Sequence, residues 1–257
     1  ERFLIEDFAI AYTPSLTILS TINSARPTSL NVVKPGATAT PALLAVGNPA
    51  LSQNATERIK AALQSQQLDG WPETEREAVE LARLYGTQQS LLLTGADASE
   101  DRINAEIGKH RFVYLAARGI NHEASPLFSA LIFAPNNNGK EDGFLELRDV
   151  LRLEMNAELV VTSASEWTAP NTVINRTMTA WTWAWHVAGS QTTLASNWRV
   201  ESASTVELML ELHRQLKDSE TKPAKAFAWR AAVQKLLMSE PYRHPYFWAG
   251  FVMLGRG

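Results

Sequence analysis

Cysteine is absent from all 257 residues of the chain. That excludes disulfides, thiolate metal sites and a cysteine nucleophile within it. It leaves the compartment open, because an oxidising location permits disulfides without requiring them. Charge of one sign is also lacking. The 24 basic and 27 acidic residues give a formal net charge of −3, so no basic excess points to nucleic acid and no acidic block to a polyanionic tail. No apolar run approaches the roughly 20 residues that span a bilayer. Glu1-Arg2-Phe3-Leu4-Ile5-Glu6-Asp7 does not show the basic-then-apolar order of a signal peptide. The expectation is a cytoplasmic chain with neither nucleic-acid nor membrane partners. An initiator methionine is missing too, which predicts that the chain starts inside a longer protein. Asn54-Ala55-Thr56 and Asn175-Arg176-Thr177 match the glycosylation triplet and, without a secretory signal, read as chance.

The residues that are present describe a globular protein. Hydrophobic residues make up 45% and charged residues 20%, enough to bury a core, and the length suits one large α/β domain. The loosest stretch, 24–41, is rich in Pro, Thr, Ala and Gly and reads as a surface connection. We therefore expect a single unit over 1–257, with an N-terminal extension and loop over 1–41 and the core over 42–257. Strands are predicted at 43–46, 90–93, 112–116, 130–133, 158–162, 191–196 and 246–254, with helices at 74–84, 99–107, 145–151, 204–217 and 223–238. Ser99 is a plausible N-cap and Pro223 suits a first helical turn. Alternating strands and helices imply a mainly parallel sheet covered on both faces.

Several motifs for common chemistry are missing: the phosphate loop, the dinucleotide G-x-G-x-x-G, H-E-x-x-H and the G-x-S-x-G elbow. His110, His122, His186, His213 and His244 show no metal-ligand spacing, so each reads as a surface or packing residue, and no metal or cofactor is expected. Trp181, Trp183 and Trp185 alternate like a strand. Against that, Ala180, Ala184 and Ala188 recur every fourth residue, and a helix is preferred, with Trp181 and Trp185 on one face. A Trp-lined ligand pocket is the functional alternative. Open α/β sheets bind ligands at the C-terminal ends of their strands. If the strands over 112–117 and 158–162 are neighbours, Arg118 and Ser165 face one cleft. The plain alternative pairs Arg118 with Glu166 or Glu123.

At those strand ends the sequence resembles a known family. Tyr114-Leu115-Ala116-Ala117-Arg118-Gly119, Asp142-Gly143-Phe144-Leu145-Glu146, Glu158-Leu159-Val160-Val161-Thr162-Ser163-Ala164-Ser165-Glu166 and the ending His244-Pro245-Tyr246-Phe247-Trp248-Ala249-Gly250-Phe251 are similar to the CHAT domain. This is a caspase- and separase-related peptidase domain often found C-terminal to TPR repeats. The resemblance covers nearly the whole chain in order. It implies a caspase-like, mainly parallel sheet with helices on both faces, an upstream TPR region, and a histidine–cysteine dyad for endopeptidase activity. It puts the histidine of H-L-A-T-H-G at Arg118 and the cysteine of L-S-A-C-E-T at Ser165. The threonine after the glutamate becomes Trp167, and the G-E-G stretch reads Asn175-Arg176-Thr177.

Arginine stays protonated and cannot act as the base, and a serine hydroxyl without a base is a weak nucleophile. His122 lies four residues beyond the base position. The leading expectation is a peptidase homologue that does not cleave and instead engages a protein or peptide partner. Gly119, Glu166 and Glu201 are the candidate binding residues beside Arg118 and Ser165. Gly119 N–H, with that of residue 165, could form an oxyanion-hole-like donor pair, and Glu201 is one acid surviving after the W-x-V strand end. Two alternatives stand: an active hydrolase using Ser165 or captured as a variant, and a cleft that takes an acidic peptide or anion through the Arg118 fork of donors.

Overall fold

The structure is a computed structural model that describes residues 2–24, 41–63, 72–122, 124–136, 142–163, 174–198, 200–217 and 224–257. Its elements in chain order are α1 (Leu4–Asp7), α2 (Leu16–Ser24), β1 (Leu43–Pro49), α3 (Gln53–Leu63), α4 (Pro72–Tyr85), β2 (Ser90–Gly95), α5 (Glu100–Glu106), β3 (Phe112–Ala116), β4 (Arg118–Ile120), β5 (Ala130–Ile132), β6 (Phe144–Glu146), α6 (Leu147–Val150), β7 (Leu159–Thr162), α7 (Ile174–Ala188), β8 (Thr192–Ser196), α8 (Ser202–Lys217), α9 (Lys225–Leu237) and β9 (Phe251–Gly255). The main sheet runs β2-β1-β3-β7-β8-β9. Every pairing in it is parallel except β8 with β9.

The sheet is buried on both faces, as short apolar strands without polar alternation require. Leu43, Ala45, Phe112, Tyr114, Leu159 and Val161 point to the side packed by α4, α8 and α9. Leu44, Val46, Val113, Leu115 and Val160 point to the other, where Ile103, Val150, Trp181 and Trp185 close the layer. The helical reading of the tryptophans holds. Trp181 and Trp185 are buried ring against ring at 6.0 Å, as core rather than the lining of a pocket, whereas Trp183 is 44% exposed. At the far edge Tyr12 bridges to Leu254: Tyr12 N–H donates to Met253 O and Gly255 N–H to Tyr12 O. A hollow of about 290 Å³ lies beside that bridge, lined by Phe3, Ile10, Trp229, Trp248 and Phe251 among others.

The predicted strands at 43–46, 90–93, 112–116, 158–162 and 191–196 and the helices at 74–84 and 204–217 match β1, β2, β3, β7, β8, α4 and α8, some with longer bounds. Three expectations need correction. The strand expected over 130–133 is β5 (Ala130–Ile132), but it belongs to a separate antiparallel sheet, β4-β5-β6. The helix expected over 145–151 begins only at Leu147, because Leu145 pairs with Leu131. Its helix-forming residues yield there to a cross-strand partner. The strand expected from 246 begins at Phe251, since Pro245–Phe247 is a 3₁₀ turn capped by His244 Nδ1, which accepts from Tyr246 N–H. Ser99 does occupy the N-cap of α5, without a side-chain capping bond. Pro223 and residues 25–40 lie outside the described residues.

Candidate functional site

The register of β3 and β7 places the site. Leu115 pairs with Thr162, and one step further Ser163 N–H still donates to Leu115 O at 3.0 Å. The strands that precede Arg118 and Ser165 are thus neighbours and parallel. Arg118 itself is 8% exposed. After Ala117 the chain leaves the main sheet and enters β4, where Arg118 pairs with Ile132 and Gly119 with Leu131. The outer side of this small sheet is sealed by α3: Ala55 and Ile59 pack with Ile120, Ala130, Ile132 and Phe144, and the Arg58 guanidinium lies 3.8 Å over the Phe144 ring. Ser165, Glu166, Trp167 and Glu123 lie outside the described residues.

Glu201 and His122 are both at the surface. Glu201 is exposed immediately before α8, and its carbonyl accepts from Thr205 N–H and from the Ser204 and Thr205 hydroxyls. His122 is exposed and occupied locally. Its Nδ1 accepts from Ser125 N–H at 3.1 Å, which leaves the neutral ring's proton on Nε2. Among the described residues no cluster of three His, Asp or Glu is placed to hold a metal ion.

One ionisable group at this end of the sheet escaped the reading of the sequence. Glu77, on α4, is 5% exposed. Tyr114 Oη–H donates to its Oε2 at 2.6 Å, and Ser163 Oγ–H donates to the same oxygen at 2.9 Å. Burial pushes the carboxyl up to about 7, against the opposing pull of the Tyr114, Ser163 and Ser202 hydroxyls. The Tyr114 phenol is raised well above its ordinary value by burial and then by the neighbouring carboxylate. A signal was present: the apolar stripe Ala78, Leu81, Ala82 and Tyr85 continues one turn back onto Thr74 and Glu77, all six buried. A carboxylate on the core face of a helix has to be satisfied there.

The CHAT domain family model matches residues 1–256. The chain belongs to the CHAT domain family. Among curated proteins it is 25% identical to mouse tetratricopeptide repeat protein 28 over 235 residues, covering 75% of this chain and 9% of that protein. Among solved structures, two crystal structures of the Saccharomyces cerevisiae separase–securin complex superpose with TM-scores of 0.51 and 0.50, at 11% and 12% identity. Each alignment covers 98% of this chain and 14% of the separase chain. The CHAT domain thus has the caspase-like fold of separase, and it spans a small fraction of the relatives it matches. No helix among the described residues is long and apolar enough to cross a membrane.

Proposed function

We propose that this CHAT domain is a non-cleaving member of its peptidase family, a single unit over 1–257 that engages a protein or peptide partner through the old cleft. The observation that carries the reading is Arg118, a buried guanidinium three residues beyond the β3–β7 pairing, where the family resemblance calls for a histidine base. The same resemblance puts Ser165 in the place of the cysteine. A permanently protonated side chain cannot take a proton from a hydroxyl, so the pair lacks both the base and the strong nucleophile. The likeness to a mouse tetratricopeptide repeat protein supports an upstream TPR region and a role in protein interaction. The fork of donors on Arg118 favours carboxylate- or phosphate-bearing ligands, and Gly119, Glu166 and Glu201 are the further residues assigned to binding.

The test is a broad fluorogenic peptide panel with the purified domain, run beside calorimetry with acidic peptides. The expected result is no turnover, together with acidic-peptide binding that weakens in Arg118→Ala. Turnover that disappears in Ser165→Ala would overturn the non-cleaving reading. Binding that Arg118→Ala leaves unchanged would overturn the assignment of the ligand class.

A further inference from the structure

The end of the main sheet opposite Arg118, where β3, β7 and β8 begin and β9 ends, gathers three basic side chains around one acid. Backbone bonds set them in a row. Glu158 N–H donates to Arg111 O at 2.8 Å, Gln191 N–H to Ala157 O at 2.9 Å and Arg256 N–H to Gln191 O at 3.0 Å. The row meets the start of α9 one residue on. A Cβ built on Gly257 would lie 3.2 Å from the Ala226 Cβ, so Arg256 and Lys225 flank that contact from its two sides.

Charge is incompletely paired there. Arg111 Nε–H donates to Glu158 Oε1 at 2.6 Å, with its guanidinium carbon 4.6 Å over the Phe112 ring, and its terminal nitrogens meet no acceptor among the described residues. Arg256 is exposed and held through its backbone N–H and carbonyl, with no side-chain partner among the described residues. Lys225 is the unusual member. It is 9% exposed, and its ammonium has neither a hydrogen bond nor an ion pair among the described residues. Burying such a group without a partner is costly. Burial lowers its pKa, with Glu158 pulling the other way and Arg256 and Arg111 adding to the fall. The 13-residue helix α9 starts at this same residue. Its N-cap Ala224 brings no side-chain bond, and the N–H groups of Lys225 and Ala226 precede the first helical bond, Ala228 N–H to Ala224 O.

We infer that Lys225, Arg111 and Arg256, with the N-terminus of α9, form an anion site for a phosphoryl group, whether of inorganic phosphate or of a nucleotide. Charge selects the class. Three cations share the one carboxylate of this row, Glu158, and the two positive charges left over are balanced by a dianion and not by a simple carboxylate. Geometry agrees with charge: open helix N–H groups and arginine forks suit the oxygens of a phosphate, and the lysine adds a point charge. The length of β3, Phe112–Ala116, separates this end from Arg118. The site therefore stands whether or not the cleft cleaves and whatever Arg118 binds.

Calorimetry on the purified domain in chloride buffer at neutral pH tests it, with inorganic phosphate, ATP, adenosine and acetate as separate titrants. Saturable heats are expected from phosphate and ATP, and none from adenosine or acetate. Tighter binding of ATP than of phosphate would make a nucleotide the source, and the reverse would make it free phosphate; both uphold the site. Lys225→Gln is expected to weaken phosphate binding about tenfold, and Arg256→Gln about threefold. Arg256 is exposed, so its variant keeps the test open should Lys225→Gln fail to fold. Absence of phosphate binding, or acetate binding as tightly as phosphate, would overturn the inference. So would phosphate binding that survives both variants unchanged but is lost in Arg118→Ala, which would move the anion to the cleft.

Discussion

At the position where the family resemblance puts a base, Arg118 carries a charge it cannot give up, and it does so buried among the strands of the small sheet. Residue chemistry here is not a matter of a few tenths of an ångström, since no rearrangement gives a guanidinium a lone pair to accept a proton. Restoring the two side chains separates simple replacement from wider loss. Arg118→His combined with Ser165→Cys is expected to show no peptide turnover above background, because Trp167 and Asn175-Arg176-Thr177 also depart from the family pattern. Strong cleavage in that double variant, measured on the same fluorogenic panel, would show the scaffold to be intact but for two residues. Glu77 illustrates the opposite case at this scale. Its chemistry is ordinary, and its setting, with two hydroxyls on one oxygen and almost no water, makes it responsive.

Elements decide where those residues stand. α4 presses so closely on the end of β1 that a Cβ on Gly47 would lie 2.3 Å from Thr74 O and 3.0 Å from the Ala78 Cβ, while Asn48 N–H donates to Thr74 Oγ1 at 2.9 Å. The obstruction is helix backbone, so it cannot yield as a side chain would. Gly47→Ala is expected to cost about 1–3 kcal/mol, read as a lower urea midpoint with an unchanged slope; a loss under about 0.5 kcal/mol would mean that the first turn of α4 is easily displaced. The main strands and the helices flanking them were legible in the sequence because burial on both faces leaves unbroken apolar runs, as in Leu43-Leu44-Ala45-Val46 and Leu159-Val160-Val161. The small sheet was not. Its strands are three residues each, too short to show a period, and only the partner at Leu131 tells Leu145 to be extended. The adjacency of the strands that precede Arg118 and Ser165 could be expected from the sequence, whereas Glu77 needed the fold to bring Tyr114 of β3 and Ser163 beyond β7 to it.

For the whole molecule, two buried groups set opposing responses to pH. Glu77 is raised from 4.5 to about 7, so the folded state retains a proton that the unfolded chain releases, and stability falls as pH climbs from 4.5 to 7. His213 is fully buried and lowered from 6.5 to about 4 by loss of solvation. The unfolded chain binds that proton first, and stability rises from pH 4 to 6.5. His110 and His186, also lowered by burial, add to the rise. Each of the two larger shifts is on the order of 3 kcal/mol, and over pH 4.5–6.5 they nearly cancel. Replacing Glu77 uncovers the histidines. Relative to the parent chain, Glu77→Gln is expected to gain on the order of 3 kcal/mol between pH 4.5 and 7, measured as the difference in urea unfolding free energy at matched pH. A constant difference across that range would show that Glu77 is ionised in the fold throughout.

The bridge from Tyr12 to Leu254 carries a consequence for anyone dividing this chain. β9 is the last strand of the sheet, and two backbone bonds from Tyr12 are what cover its outer side among the described residues. Arg230 holds the same segment by donating to the carbonyls of Ile5 and Glu6. A fragment cut at residue 42 to keep the sheet and discard the approach would bare a row of unpaired amides and carbonyls on Phe251-Val252-Met253-Leu254, next to the uncovered rings of Trp229 and Trp248. Such an edge recruits whatever strand it meets first, usually another copy of itself. The first fifteen residues are a selvedge: they add little to the cloth and keep it from fraying.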